Sequence, residues 1–209
     1  MSSATPAEPA PTKEVVVPFS GPFSWPGTPD APSVFFEAEE VRRESGIYLW
    51  TVPLPEGHLV NYVGETGRSF ELRLLEHYKE HLTCMYQLYS PAEFARGEQI
   101  VLWPGHYNSA DRKSVKECIA QYESARFSSL VKEIAHIYRF FLAPLSCEKR
   151  TRLRIEASIA KALYAAPGLA GKFLDKGVRY APRTADEAPI SCVVTYPLPL
   201  IGLPERILA

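Results

Sequence analysis

Residues 46–77 read GIYLWTVPLPEGHLVNYVGETGRSFELRLLEH, and this stretch decides the fold. Two runs, residues 46–52 and 59–64, are rich in β-branched and aromatic side chains, and Pro53, Pro55 and Gly57 break the chain between them. The pattern predicts an antiparallel hairpin. With its loop centred near Pro55, Tyr48 falls opposite Tyr62 and Gly46 opposite Gly64, so both phenols share a face beside bare backbone. A helical run from about Ser69 carries Arg73 and His77, four apart and therefore on one face. Two phenols, a guanidinium and an imidazole then converge. The plainer account is cross-strand aromatic packing beside solvated helix residues.

Gly46-Ile47-Tyr48, then Tyr62-Val63-Gly64, then Arg73 within a helix, resembles the GIY-YIG nuclease superfamily. Val63 stands where the motif has isoleucine, and the hairpin loop is slightly longer than usual. His77, one turn after Arg73, is similar to the restriction-endonuclease branch. The resemblance implies an α+β fold, a small three-stranded antiparallel sheet flanked by helices. It also implies a glutamate on a later helix that holds one divalent metal ion.

Outside this stretch, composition sets limits. A chain of 209 residues, 46% of them hydrophobic, buries one sizeable core. Net charge is −1, so bulk electrostatics do not mark a nucleic-acid binder. The distribution says more. Residues 1–45 hold seven acids and three bases, whereas residues 149–183 hold nine bases against Glu156 and Asp175. Such a basic region, Arg152 and Lys172 within it, neutralises phosphates; it serves equally as a solvated helix face. Cys84, Cys118, Cys147 and Cys192 form no paired motif, which predicts free thiols in a reducing compartment. Neither a secretory signal nor a membrane-spanning run is expected, so the reading is a cytoplasmic protein with no membrane partner.

Residues 1–33 read as a proline-rich tail or arm, and residues 34–209 as one domain with an insertion at about 83–110. Residues 33–43 are expected as a short helix or strand leading into the first strand of the hairpin. In the helix from Ser69, Leu72, Leu75, Leu82 and Met85 are expected to face the core, with Arg73 and His77 on the flank. Gln99 to Trp103 reads as a strand, followed by His106 and Tyr107 in a turn. Helical spacing runs from about 110 to 135 through Val115, Cys118, Ile119 and Tyr122. A third strand is expected over 137–142 and a helix from about Ser146 to Pro167. Residues 189–196 read as a strand, with the proline-broken 197–204 packed along the domain edge.

Glu156 sits in the last of those helices, between Ile155 and Ala157. One account is a helix salt bridge to Arg152 at i,i+4. The resemblance assigns it instead to the metal, Mg2+ or Mn2+, which takes one or two carboxylates and fills its shell with water and phosphate oxygens. It implies that Tyr48 is the general base, Tyr62 orients the water or phosphate, Arg73 grips the non-bridging oxygens and His77 accepts the proton of Tyr48. Gly46, Gly64, Arg68, Arg152 and Lys172 are the substrate-binding candidates. The superfamily usually places an asparagine shortly after the glutamate; residues 165–172 offer none, and Lys172 is the polar group there. The implied activity is metal-dependent hydrolysis of DNA phosphodiesters, with RNA also a substrate class and a homodimer the usual way to cut both strands. The alternative is an inactive nucleic-acid-binding or protein-interaction module on the same fold.

Overall fold

The computed structural model describes residues 13–105, 107 and 125–209. Strands β3 (Gly46–Leu54) and β4 (Gly57–Thr66) form the expected hairpin around Pro55 and Glu56. Its register differs from the expected one by two residues. Tyr48 faces Gly64, Trp50 faces Tyr62 and Gly46 faces Thr66, with a bulge between Trp50 and Thr51. The shift keeps parity, so both phenols still share a face.

The third strand, β7 (Arg139–Pro144), pairs antiparallel with β3, two residues later than the sequence predicts. Two more strands extend the sheet, which therefore has five strands rather than three, in the order β2-β7-β3-β4-β9. Strand β2 (Ser20–Phe23) comes from the proline-rich arm and covers β7; β9 (Leu200–Ile201) comes from the segment expected at the domain edge and pairs parallel with His58 and Leu59. Both are outermost strands, where proline is tolerated. The arm also supplies β1 (Lys13–Pro18), parallel to β8 (Ile190–Thr195), which carries antiparallel β10 (Arg206–Leu208) on its other side. From residue 13 onward the arm is thus docked. Residues 34–43 form hydrogen-bonded turns rather than a regular element.

Five helices are described. These are α1 (Phe70–Leu82), α2 (Pro91–Phe94), α3 (Ala125–Ile137), α4 (Lys149–Ala165) and α5 (Leu169–Phe173). In the inserted segment, β5 (Leu88–Tyr89) pairs with β6 (Val101–Trp103) around α2. The expected helical positions Val115, Cys118, Ile119 and Tyr122 lie outside the described residues, as does His106. Cys147 and Cys192 carry free thiols, as expected; Cys118 lies outside the described residues.

Alternation along β3 divides the core. Ile47 and Leu49 pack with Ile155, Ile159 and Leu163 of α4. Tyr48, Trp50 and Val52 pack on the other side with Trp25, Phe70, Leu74 and Tyr138. Ser69 caps α1 by accepting from Leu72 N–H at 3.3 Å. The buried stripe of α1 is Phe70, Leu74, His77 and His81; Leu72 is 54% exposed and Leu75 lies at the surface. The helix is rotated from the expected setting because both imidazoles have partners inside. His81 Nε2 donates to the Val131 carbonyl at 3.1 Å, and His77 is held by two phenols. A buried polar side chain is tolerated when it is hydrogen-bonded, and that outweighs the hydrophobic pattern here.

Candidate active site

Tyr48 lies at the centre of the candidate site and is wholly buried. Its oxygen is 2.8 Å from His77 Nε2 and accepts from Arg73 Nε at 3.2 Å. His77 Nδ1 is 2.6 Å from the oxygen of Tyr86, whose own hydroxyl donates to Glu80 Oε2. A phenol has one proton, so Tyr86 must accept from Nδ1–H, leaving Nε2 to accept from Tyr48. The result is a one-way chain of donors from Arg73 through Tyr48, His77 and Tyr86 to the Glu80 carboxylate. Tyr107, exposed in a turn as expected, also donates to Glu80, at 3.0 Å.

The electrostatics follow the chain. Burial raises the Tyr48 phenol well above its ordinary value, Tyr62 adds to the rise and Arg73 opposes it. Burial lowers His77 and so keeps it neutral and accepting, against the pull of Glu80. Hydrogen bonds from His77, then from Tyr86 and Tyr107, outweigh burial at Glu80 and hold its carboxyl at about 2. For Arg73 burial works against the charge, but the Tyr48 phenol and Glu76 overcome it and raise the guanidinium. Tyr62, half-buried, stands with its ring 6.0 Å from that of Tyr48 and 6.0 Å from the His77 ring. Burial raises its phenol also.

Glu156, on α4, is coupled to this group electrostatically, through Arg73 and Tyr62. The outer edge of β4 beyond the β9 pairing is used by side chains and by the segment after α5. Asn61 O accepts from Asp175 N–H at 2.8 Å, Val63 O accepts from the Tyr180 hydroxyl at 3.5 Å, and Glu65 N–H bonds to the Glu156 carboxylate. Burial and the nearby Glu65 carboxylate raise Glu156 to about 7, with the Glu65 N–H and Arg73 opposing. Its charge in turn acts on the Tyr62 phenol. The expected partner Arg152 does not pair with it. Arg152 Nε bonds instead to Glu65 at 3.1 Å, and Arg152 Nη1 donates to the Cys147 carbonyl. Among the described residues Glu156 is thus a buried carboxylate without an ion pair, within electrostatic reach of Arg73. Among the described residues no group of three or more His, Cys, Asp or Glu is placed to hold a metal.

The remaining candidates divide. Gly64 is required under the rings, since a Cβ there would lie 2.3 Å from Tyr48 Cζ and 2.7 Å from Tyr62 Cε1. Gly46 is not beside the phenols. Its Cβ would meet the Ala143 carbonyl of β7 at 2.1 Å, so close strand packing accounts for it. Arg68 lies at the surface, bidentate to Glu76 at 2.6 and 2.7 Å. Arg152 is buried as an internal clamp on Glu65, and its guanidinium fills the space a Cβ at Gly67 would need. Lys172 is exposed on α5 and lines a neighbouring cleft, which shares Gln87 and Asp175 with the one beside Tyr62 and Arg73. Within the basic region Arg150 pairs with Glu187, and Arg154 donates to the Ala188 and Ala209 carbonyls. Lys149, Lys161, Lys172, Lys176 and Arg179 are left at the surface.

Sequence reasoning missed Tyr86 and Glu80 in the relay. Glu80 was accessible, at i+3 from His77 on the same helix. Tyr86 was not, because it follows the helix in a turn.

In comparisons with known proteins, no family model, no curated protein and no solved structure matches the chain. Among the described residues no helix is long and apolar enough to cross a membrane.

Proposed function

We propose that this protein is a metal-dependent endonuclease of the GIY-YIG type that hydrolyses phosphodiester bonds of DNA, with RNA as a related substrate class. The observation that carries the reading is the hydrogen-bonded trio of Arg73, Tyr48 and His77, with Tyr62 beside it and Glu156 within electrostatic reach of Arg73. Packing alone does not call for it, because an isolated phenol pair in a hairpin needs no buried imidazole.

Tyr62, which lines the cleft with Arg73, orients the attacking water. Arg73 donates to the non-bridging phosphate oxygens from the nitrogens that Tyr48 does not use. The water proton passes to the Tyr48 oxygen while the Tyr48 proton moves to His77 Nε2. Simultaneous transfer matters because burial disfavours a free phenolate. Protons on His77 Nδ1 and Tyr86 shift one place in turn, and Glu80 receives the last. Glu156 holds the magnesium or manganese ion, which when bound acts as a Lewis acid on the phosphate and the departing oxygen.

One observation favours a second reading, an inactive nucleic-acid-binding or protein-interaction module: the Tyr48 oxygen is sealed from solvent and both its partners are protein groups. Nicking of supercoiled plasmid by the purified protein separates the two. The nuclease reading requires nicking with magnesium or manganese, absent with chelator and absent in Glu156→Ala; a folded wild type that never nicks supports the module.

A further inference from the structure

Beside the relay lies a cleft of about 130 Å3, lined by Trp50, Tyr62, Tyr86, Tyr89 and Tyr138 together with Arg73 and His77. It is several times the roughly 30 Å3 share of one water, so it is larger than the attacking water needs. A phosphate fits its chemistry poorly. Arg73 is the one full cation in the lining, and the Asp175 carboxylate, also in the lining, repels an anion.

The polar groups that remain are those that bind a flat, neutral, hydrogen-bonding ring. Trp50 is 5% exposed and serves as a wall, its indole Nε1–H being shut off from solvent. Gln87 uses its carbonyl for the Tyr89 hydroxyl at 2.9 Å and keeps its amide protons. Asn61 spends one amide proton on the Phe173 carbonyl at 3.2 Å and keeps the other. Asp175 receives Gly177 N–H at 2.8 Å and keeps further acceptor capacity. The walls are aromatic and already at stacking or edge distance from one another, as with Trp50 and Tyr138 at 5.0 Å and Trp50 and Tyr62 at 5.9 Å.

We propose that this cleft receives one unstacked nucleobase of the substrate strand, the base next to the phosphate held by Arg73. This rests on the reading that a polynucleotide is the ligand, and it adds how the strand is held. Aromatic walls, Trp50 among them, stack the base, and Asn61, Gln87 and Asp175 address its edge. Turning a base out of a duplex costs a few kcal/mol, so the cleft favours strands whose bases are already unpaired.

The test uses the full chain in magnesium-free buffer and follows the indole N–H signals of its three tryptophans by NMR. The Trp50 signal is assigned by elimination with Trp25→Phe and Trp103→Phe, neither of them a lining residue, and the titrations use the wild type. The probes are dAMP, dGMP, dCMP, TMP and deoxyribose 5-phosphate. At least one nucleotide is expected to shift the Trp50 signal saturably through the ring current of the stacked base, with no shift from the sugar phosphate. Asp175→Ala, a change at an exposed residue, should weaken that binding several-fold. A Trp50 signal unmoved by every nucleotide, or moved equally by the sugar phosphate, overturns the proposal. Plasmid nicking by the same sample keeps the two readings apart: nicking with an unmoved Trp50 sinks only the base site, and a shifted Trp50 without nicking sinks only hydrolysis.

Discussion

The Tyr48 hydroxyl donates to His77 Nε2 at 2.8 Å, joining the first strand of the hairpin to the inward face of the helix that follows it. This bond explains why α1 turns an imidazole, rather than Leu72 or Leu75, toward the core. Replacing Tyr48 by Phe keeps the ring and removes the oxygen. His77 Nε2 and Arg73 Nε then lose a buried partner, at a cost of about 1–3 kcal/mol. Cleavage should fall at least about 100-fold, the lower range for loss of a general base. Denaturant unfolding and nicking rates, measured side by side, check both parts.

Glu80→Gln keeps the shape of the relay's end but removes its charge. The account expects nicking to drop while the fold persists, because Glu80 is the final proton acceptor and is partly exposed. Initial rates of Glu80→Gln against wild type over pH 6 to 9 provide the check; equal rates throughout would remove Glu80 from the relay.

Gly64→Ala places a methyl 2.3 Å from Tyr48 Cζ and 2.7 Å from Tyr62 Cε1. Both rings are core-packed, so the clash must move strand β4 or the phenols. Overpacking of this kind costs about 1–3 kcal/mol. Thermal unfolding should show that loss together with lost nicking. Gly67→Ala meets only the tip of Arg152 and should cost much less.

His58 and His81 are both held at about 4, below the ordinary histidine value, burial being the main cause in each. A depressed histidine favours the folded state while neutral, so its contribution is whole above pH 6.5 and is lost as pH falls from 6.5 toward 4. Glu156, raised to about 7, opposes this, since its contribution is present at low pH and lost as pH rises through 7. Two histidines outweigh one carboxyl below pH 6.5. Unfolding midpoints should therefore fall between pH 6.5 and 4, and His81→Gln, which keeps the donor to Val131, should flatten that slope. A wild-type midpoint that rises over this range would refute the assignment.

Much of the site was legible in the sequence, because strand parity and helix spacing are short-range rules. Tyr48 with Tyr62, and Arg73 with His77, follow from steps of two and four. The exact register did not, because the loop turns between Pro55 and Glu56 rather than at Pro55, and the bulge after Trp50 absorbs one further residue that no local signal marks. The two outer strands were hidden for another reason. β2 and β9 are short and proline-flanked, and only pairing with distant chain makes them strands. Hydrophobic spacing pointed α1 the wrong way because two histidines, polar by composition, are buried through their partners. The basic region likewise read as phosphate-binding, yet Arg150, Arg152 and Arg154 are spent on Glu187, Glu65 and backbone carbonyls.

The account depends on Tyr48 and His77 acting together on a phosphodiester, and the most direct measurement is the conversion of supercoiled plasmid to nicked circles by wild type and Tyr48→Phe with magnesium. Nicking by wild type, with none from a folded Tyr48→Phe, is the predicted result. Equal nicking by both proteins, or none by either with magnesium or manganese, would contradict it.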